Sequence, residues 1–325
     1  MPQSVLTSAP SKVYNKSVKM TRPKEKSMAC GLFLLYKEQG MTSQTAVKRV
    51  SRLFGGEKTG HTGTLDPLAE GVLPVLVGRA VKASEFLLTG EKEYIAHLRL
   101  GVRSDTEDIT GTLTPSGAPL PSEREVLAVL DRFRGEILQT PPMYSALKVG
   151  GKKLCDLARA GKEIEREKRP VTIYRLDAER LADDEYRLSV HCSKGTYIRT
   201  LCADIGEALG TGGVMSRLLR AEAAGYPLEK CMTLAELEAT PPEEREKLLI
   251  PLPEIFEKFP RVTLPPFFAR LALAGAPIYQ KKIGTAFEEG SVVALYDEYG
   301  FFALAKAVIN DEGERVLRSL RLFRI

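Results

Sequence analysis

The chain has 325 residues, 43% of them hydrophobic and 27% charged, a globular balance that excludes a wholly disordered polypeptide and favours two domains over one. No apolar run approaches the ~18 residues of a membrane-spanning helix, which excludes an integral helical membrane protein. The net charge of +5 is confined to residues 1–28, where Lys12, Lys16, Lys19, Arg22, Lys24 and Lys26 meet one acid, Glu25; the other 297 residues balance 41 basic against 41 acidic groups. Overall basicity is therefore no evidence for nucleic-acid binding by the body of the chain, which would need its cations segregated onto one face.

Residues 1–28 are polar and aperiodic and lack the apolar stretch of a signal peptide. Residues 1–24 hold no acid, as in organelle-targeting peptides, but Pro2, Pro10 and Pro23 argue against a regular amphipathic helix. The plain readings are a disordered arm, or an upstream start codon with Met28 as the true start. Gly31–Tyr36 reads as a buried strand. A turn at Gly40–Ser43 leads into a helix whose Ala46, Val47, Val50, Leu53 and Phe54 share one face, and Gly55-Gly56 ends it. Tyr94–Leu100 alternates as a half-buried strand, with Tyr94, Ala96, Leu98 and Leu100 on one side. A polar loop, Ser104–Gly111, precedes a helix over 122–134.

Val171–Leu176 and Tyr186–Cys192 are further strands, the second turning Tyr186, Leu188, Val190 and Cys192 inward. After Lys194-Gly195 a helix gathers Ile198, Leu201, Cys202, Ile205 and Leu209 on one face. Prolines crowd residues 240–262 and suggest a linker. Beyond it, Ser291–Tyr296, Tyr299–Val308 and Arg315–Phe323 form a small β-rich module of a size that folds alone only marginally. Strands mixed with separate helices define an α+β class.

The five cysteines (30, 155, 192, 202 and 231) are odd in number and contain no Cys-x-x-Cys pair, and the three histidines show no His-Glu-x-x-His spacing. A disulfide framework or metal centre is not expected, and a reducing compartment fits. The most loaded segment is Gly55–Pro67, with four glycines between 55 and 63. A phosphate loop fails there, because Glu57 stands where glycine must precede the Lys-Thr pair and a helix, not a strand, leads in. Taken alone, Asp66-Pro67 reads as a helix start ahead of Leu68–Leu73, His61 as a turn residue, Tyr94 as core, and Arg199 as a structural ion-pair partner. The glycines nevertheless allow a close backbone approach that could deliver a carboxylate to a substrate.

Gly60-His61-Thr62-Gly63-Thr64-Leu65-Asp66-Pro67-Leu68-Ala69-Glu70-Gly71-Val72-Leu73 resembles the signature of the TruB family of tRNA pseudouridine synthases. Three further ordered blocks are similar to that family: Gly101–Asp108, Pro142–Lys148 with Gly150–Leu154, and Ser193–Leu201. The likeness runs from about Gly31 to Leu234. The C-terminal module is more weakly similar to the family's PUA-type RNA-binding domain.

The resemblance implies a mixed, mainly antiparallel catalytic sheet flanked by helices. It implies a catalytic domain, 29–255, and a PUA-like domain, 260–325, and has no counterpart for the tail, 1–28. It implies Asp66 as the catalytic aspartate, Tyr94 as the tyrosine that stacks on the target base, and Arg199 as the arginine that pairs with the aspartate. His61 matches a histidine near everted nucleotides, Tyr197 and Leu218 residues lining the uridine pocket, and Lys37 a lysine in an early Lys-Pro element. There the sequence departs, reading Tyr36-Lys37-Glu38 where the family commonly has Asp-Lys-Pro.

The implied reaction isomerises uridine to pseudouridine, most simply at uridine-55 of the tRNA T-arm, with no cofactor, as a cytoplasmic monomer without an obligatory protein partner. Lys48, Arg49, Arg52, Lys58, Lys148, Lys152 and Lys153 are candidates for phosphate contacts or equally for solvated faces. Three rivals remain: a non-catalytic RNA-binding or RNA-folding protein, a glycosidase that stops at base excision, and an RNA-guided relative with protein partners. Ordinary glycoside hydrolysis needs two placed carboxylates, and only one is evident here.

Overall fold

The computed structural model describes residues 29–88, 90–145 and 147–324; the basic arm at 1–28 lies outside them. β1 (Gly31–Lys37) is apolar on both faces and buried along nearly its whole length. α1 (Ser43–Leu53) starts where the Thr42 side chain accepts a hydrogen bond from the Thr45 amide, 3.1 Å, and buries Ala46, Val47 and Val50. β2 (Thr59–His61) and β3 (Glu70–Val77) follow, then β4 (Lys92–Leu100), whose alternating burial matches its sequence.

The main sheet runs β1, β3, Gly213–Ala223, β4, Glu185–Cys192, Arg169–Arg180 and Gly135–Gln139, with β2 beside β3. Every neighbour pair on this path is antiparallel except β3 with Gly213–Ala223. That parallel contact is close: a Cβ on Gly71 would lie 2.3 Å from the Arg220 carbonyl oxygen, and Gly71 adopts φ +107°, so glycine is required there. The topology thus sets three separate stretches side by side: the loop before β3, the strand Gly213–Ala223, and β4. The helix Ile198–Ala208 packs on the same sheet through Ile198, Leu201, Cys202 and Ile205. It comes near enough that a Cβ on Gly206 would lie 2.1 Å from the Gly213 amide.

Two sequence expectations change. Asp66-Pro67 does not begin a helix: a single turn, closed by the Ala69 amide on the Asp66 carbonyl at 3.1 Å, feeds directly into β3. The strand pairs along one side with β1 and is buried on both faces, so its apolar run carries no alternation to betray it. The proline-rich stretch is no free linker. Leu32 and Ile250 exchange amide–carbonyl hydrogen bonds at 2.8 and 2.9 Å, and Leu249, Ile255 and Phe256 are buried.

The C-terminal residues form a five-stranded sheet in the order Arg261–Thr263, Val292–Asp297, Gly300–Ile309, Arg315–Leu322 and Ile278–Tyr279, around its own core of Val293, Leu295, Phe302 and Leu317. A third apolar cluster, in which Leu32, Leu76 and Phe256 meet Leu304 and Phe323, joins it to the main sheet. Among the described residues, no helix is long and apolar enough to cross a membrane.

Candidate active site

Asp66 stands on the bend between β2 and β3, and both sides of that bend are fastened. On one side the buried Ser43 hydroxyl donates to the Leu65 carbonyl and accepts from the Leu65 amide, both at 2.8 Å. On the other, the Gly40 amide donates to the Pro67 carbonyl at 2.8 Å, and the Lys37 ammonium donates to the Ala69 carbonyl at 2.6 Å. Tyr36 adds a hydrogen bond to Glu70 at 2.9 Å. The Tyr36-Lys37-Glu38 departure therefore still secures the loop, from behind. A carboxylate held this way presents its oxygens with little conformational freedom left to lose.

Arg199 meets that carboxylate from the first turn of its helix: Nη2 lies 3.0 Å from Asp66 Oδ2. The guanidinium is buried, and its other bonds fix its plane. Nη2 donates to the Tyr144 carbonyl at 3.0 Å and Nη1 to the Thr106 carbonyl at 3.1 Å, with Asp108 Oδ2 3.6 Å from Nη1. Asp108 is itself held through Oδ1, which accepts from the Thr106 hydroxyl, the Thr110 amide and the Thr110 hydroxyl at 2.8, 2.9 and 2.5 Å. One buried cation thus serves two carboxylates, of which Asp66 has 37% of its side chain exposed and Asp108 only 5%.

Two cavities meet at Asp66. The outer cleft, about 1000 Å³, is walled by His61, Asp105, Asp156 and Arg159 among others; the inner one, about 240 Å³, by Lys92, Tyr94, Tyr197, Leu218 and Arg220. Thr64, Leu65, Asp66, Tyr144, Ser145 and Arg199 border both. Tyr94 and Arg220 are register partners on adjacent antiparallel strands, so their side chains leave the sheet on the same face. The Tyr197 peptide is clamped by the buried Gln139 side chain, which donates to its carbonyl at 3.0 Å and accepts from its amide at 2.8 Å.

Burial raises the Asp66 pKa above the ordinary carboxylate value; Arg199 opposes that shift, and Asp108 reinforces it. Burial also raises the Tyr94 phenol, against the pull of Arg220. His61 is lowered, first by burial and then by Arg220, and its Nδ1 accepts from the Gly63 amide at 3.4 Å. Lys37 and Lys92 are each lowered to about 8, chiefly by burial.

Of the residues singled out in the sequence, Asp66, Tyr94, Arg199, Tyr197 and Leu218 line the inner cavity, and His61 lines the outer cleft. Lys37 takes another place, fully buried beneath the loop with its ammonium on two carbonyls. Arg49 is paired with Glu238 at 2.5 Å, and Lys58 lies on a separate cavity of about 510 Å³ beside Arg79, Lys82 and Arg321. Ser43, Asp108, Gln139 and Arg220 escape sequence reading, because each works through a partner brought from far along the chain. A buried arginine in a strand was the one available signal, at Arg220.

Solved structures share the fold. A chain of a Cbf5–Nop10–Gar1 complex is 26% identical with a TM-score of 0.68, covering 93% of this chain and 88% of that one. A chain of an archaeal box H/ACA Nop10–Cbf5 complex is 25% identical with a TM-score of 0.67, covering 94% and 89%. The fold and the matching family models together are those of a pseudouridine synthase. Residues 51–198 match the N-terminal domain of the TruB family pseudouridylate synthases, and residues 199–256 match the tRNA pseudouridylate synthase B C-terminal domain. The tRNA pseudouridine synthase B of Actinobacillus pleuropneumoniae serotype 5b is 46% identical over 75% of this chain and 82% of its own length. That of Alkaliphilus oremlandii is 41% identical over 90% and 98%. The chain belongs to the TruB family and is an isomerase.

Proposed function

We propose that this chain converts uridine to pseudouridine at position 55 of the tRNA T-arm, with Asp66 facing the sugar of an everted nucleotide. The observation that supports this most is the Asp66–Arg199 pair, 3.0 Å apart, at the junction of a base-sized inner cavity and a wide outer cleft. In a stacked duplex the glycosidic carbon is hidden, so the nucleotide must leave its stack. The base then enters beside Tyr94, the sugar lies at the junction, and the flanking strand occupies the cleft near His61.

Within the site the N-glycosidic bond breaks and uracil turns while held. C5 bonds to C1′, the C5 proton leaves, and N1 regains a proton. The balance closes without an oxidant or an outside acceptor. Asp66 must be ionised whether it attacks as a nucleophile or stabilises positive charge on the sugar and carries a proton; Arg199 keeps it so against burial. Tyr94 supplies the stacking surface and a hydroxyl within the site. The chain acts alone in the cytoplasm, its C-terminal sheet adding RNA contacts as a PUA-like domain over 260–325.

Stacking on an aromatic ring contributes ~1–3 kcal/mol per base. Tyr94→Phe is therefore expected to keep tRNA affinity while losing most of the single-turnover rate, and Tyr94→Leu to weaken both. Wild-type kinetics in Tyr94→Leu would remove Tyr94 from the site. The position is tested by tritium release from C5-labelled uridine in tRNA transcripts. Release is expected from the unmodified transcript and to vanish when uridine-55 is replaced by cytidine. Persistent release from the replaced transcript contradicts the assignment.

A further inference from the structure

We infer that Arg220 is a positioning residue of this site that acts through the Tyr94 phenol. The inference rests on the reading of Tyr94 given above. Arg220 is 1% exposed, among the largest fully buried side chains of the described residues. A guanidinium at such depth ordinarily meets a carboxylate, since burying a charge without compensation is expensive. Among the described residues it has no ion pair. Instead Nε donates to the Val72 carbonyl at 2.7 Å and Nη2 to the Gly63 carbonyl at 3.2 Å.

Those two bonds seat the guanidinium between β3 and the bend that carries Asp66. The strand is bulged just after Arg220, a device that re-aims side chains beside active sites. The remaining face of the group lies with Tyr94: the two residues are register partners and wall the same inner cavity. Arg220 also disfavours positive charge on its neighbours Lys37, Lys92 and His61. A cation retained under these conditions, with two neutral carbonyls as its anchors, is matched by electron density that the phenol can supply. It fixes the hydroxyl's direction and favours any step in which that oxygen gains negative character. Its effect on catalysis therefore passes through the Tyr94 oxygen.

The test uses the full chain with Arg220→Gln and Arg220→Lys, each alone and combined with Tyr94→Phe. Single-turnover rate, tRNA Kd and the pH dependence of the rate are measured for each. Hydrogen bonds to charged groups set the expected scale: Arg220→Gln should slow the reaction roughly 10–100-fold with Kd changed less than about threefold. Arg220→Lys, which keeps the charge, should recover part of the rate. In the Tyr94→Phe background Arg220→Gln should cost less than about threefold, because the two side chains form one unit. An equal fold-loss in both backgrounds, or a loss confined to Kd, overturns the inference. If Arg220→Gln does not fold, Arg220→Lys is judged by the same criteria.

A second readout is independent of turnover. The ring-carbon NMR signal of labelled Tyr94, assigned by its disappearance in Tyr94→Phe, should titrate at higher pH than in the wild-type chain in Arg220→Gln, or in Arg220→Lys if displacement of the charge is the change tested. An unmoved midpoint overturns the inference even if the wild-type chain forms no pseudouridine, an outcome that would count against the functional reading alone.

Discussion

Asp66→Asn is expected to abolish pseudouridine formation, to leave tRNA binding within about threefold, and to melt at or above the wild-type temperature. The first two outcomes follow because the amide keeps the shape of the carboxylate but can neither attack nor carry negative charge. The third follows from the direction of the pKa shift. Asp66 titrates above the ordinary carboxylate value in the folded chain, so the folded state still holds the proton over a range where the unfolded chain has lost it. Stability from this group therefore falls as pH rises through that window, and at neutral pH the ionised side chain strains the fold. Because 37% of the side chain is exposed, solvent moderates the effect. Asparagine removes it, and Arg199 keeps Asp108 and two carbonyls as partners. A variant that melts well below wild type, or turns over tRNA, would contradict this.

Arg199→Met is expected to be harmful on both counts. It strips the counter-ion from Asp66 and leaves the buried Asp108 without its cation. Removing one partner of a buried pair typically destabilises by ~3–5 kcal/mol, because the remaining charge is uncompensated. The same loss raises the Asp66 carboxyl further and frees it from the partner that fixes its direction, so the rate is expected to fall by roughly 100-fold or more with tRNA affinity little changed. Urea unfolding and single-turnover kinetics read the two effects separately. Arg199→Lys should restore much of the stability and little of the rate, since an ammonium cannot span two carboxylates and two carbonyls in one plane. Wild-type stability in Arg199→Met would mean that the pair is not the electrostatic centre of the site.

What could be read in advance divides by physical cause. β4, Glu185–Cys192 and the helix Ile198–Ala208 each bury one stripe, and their periodicity shows it; β1, buried on both faces, is legible only as a short apolar run ahead of a turn. β3 was hidden, because a strand covered on both faces loses the alternation that marks strands, and the Asp66-Pro67 pair in front of it imitates a helix start. The proline-rich stretch imitated a linker, because a segment docked by two backbone bonds and a few apolar side chains has no period at all.

The same division holds at the site. The glycine-rich bend drew attention to Asp66, and the family likeness supplied partners for it. Asp108, Gln139, Ser43 and Arg220 act by holding groups that lie far away in sequence: Arg199 is 91 positions beyond Asp108, and Arg220 reaches a carbonyl 157 positions before it. Local pattern carries no information about such pairings. For Arg220 the pairing follows from the strand order, which sets Gly213–Ala223 between β3 and β4.

The most direct measurement maps pseudouridine nucleotide by nucleotide in an unmodified tRNA transcript after single turnover with the wild-type chain and with Asp66→Asn, recording the mass of the RNA. A carboxylate that meets the sugar of an everted uridine gives one new pseudouridine, at position 55, with unchanged mass and none in the variant. Conversion by Asp66→Asn at a comparable rate, or a wild-type product lighter by one base, contradicts the account.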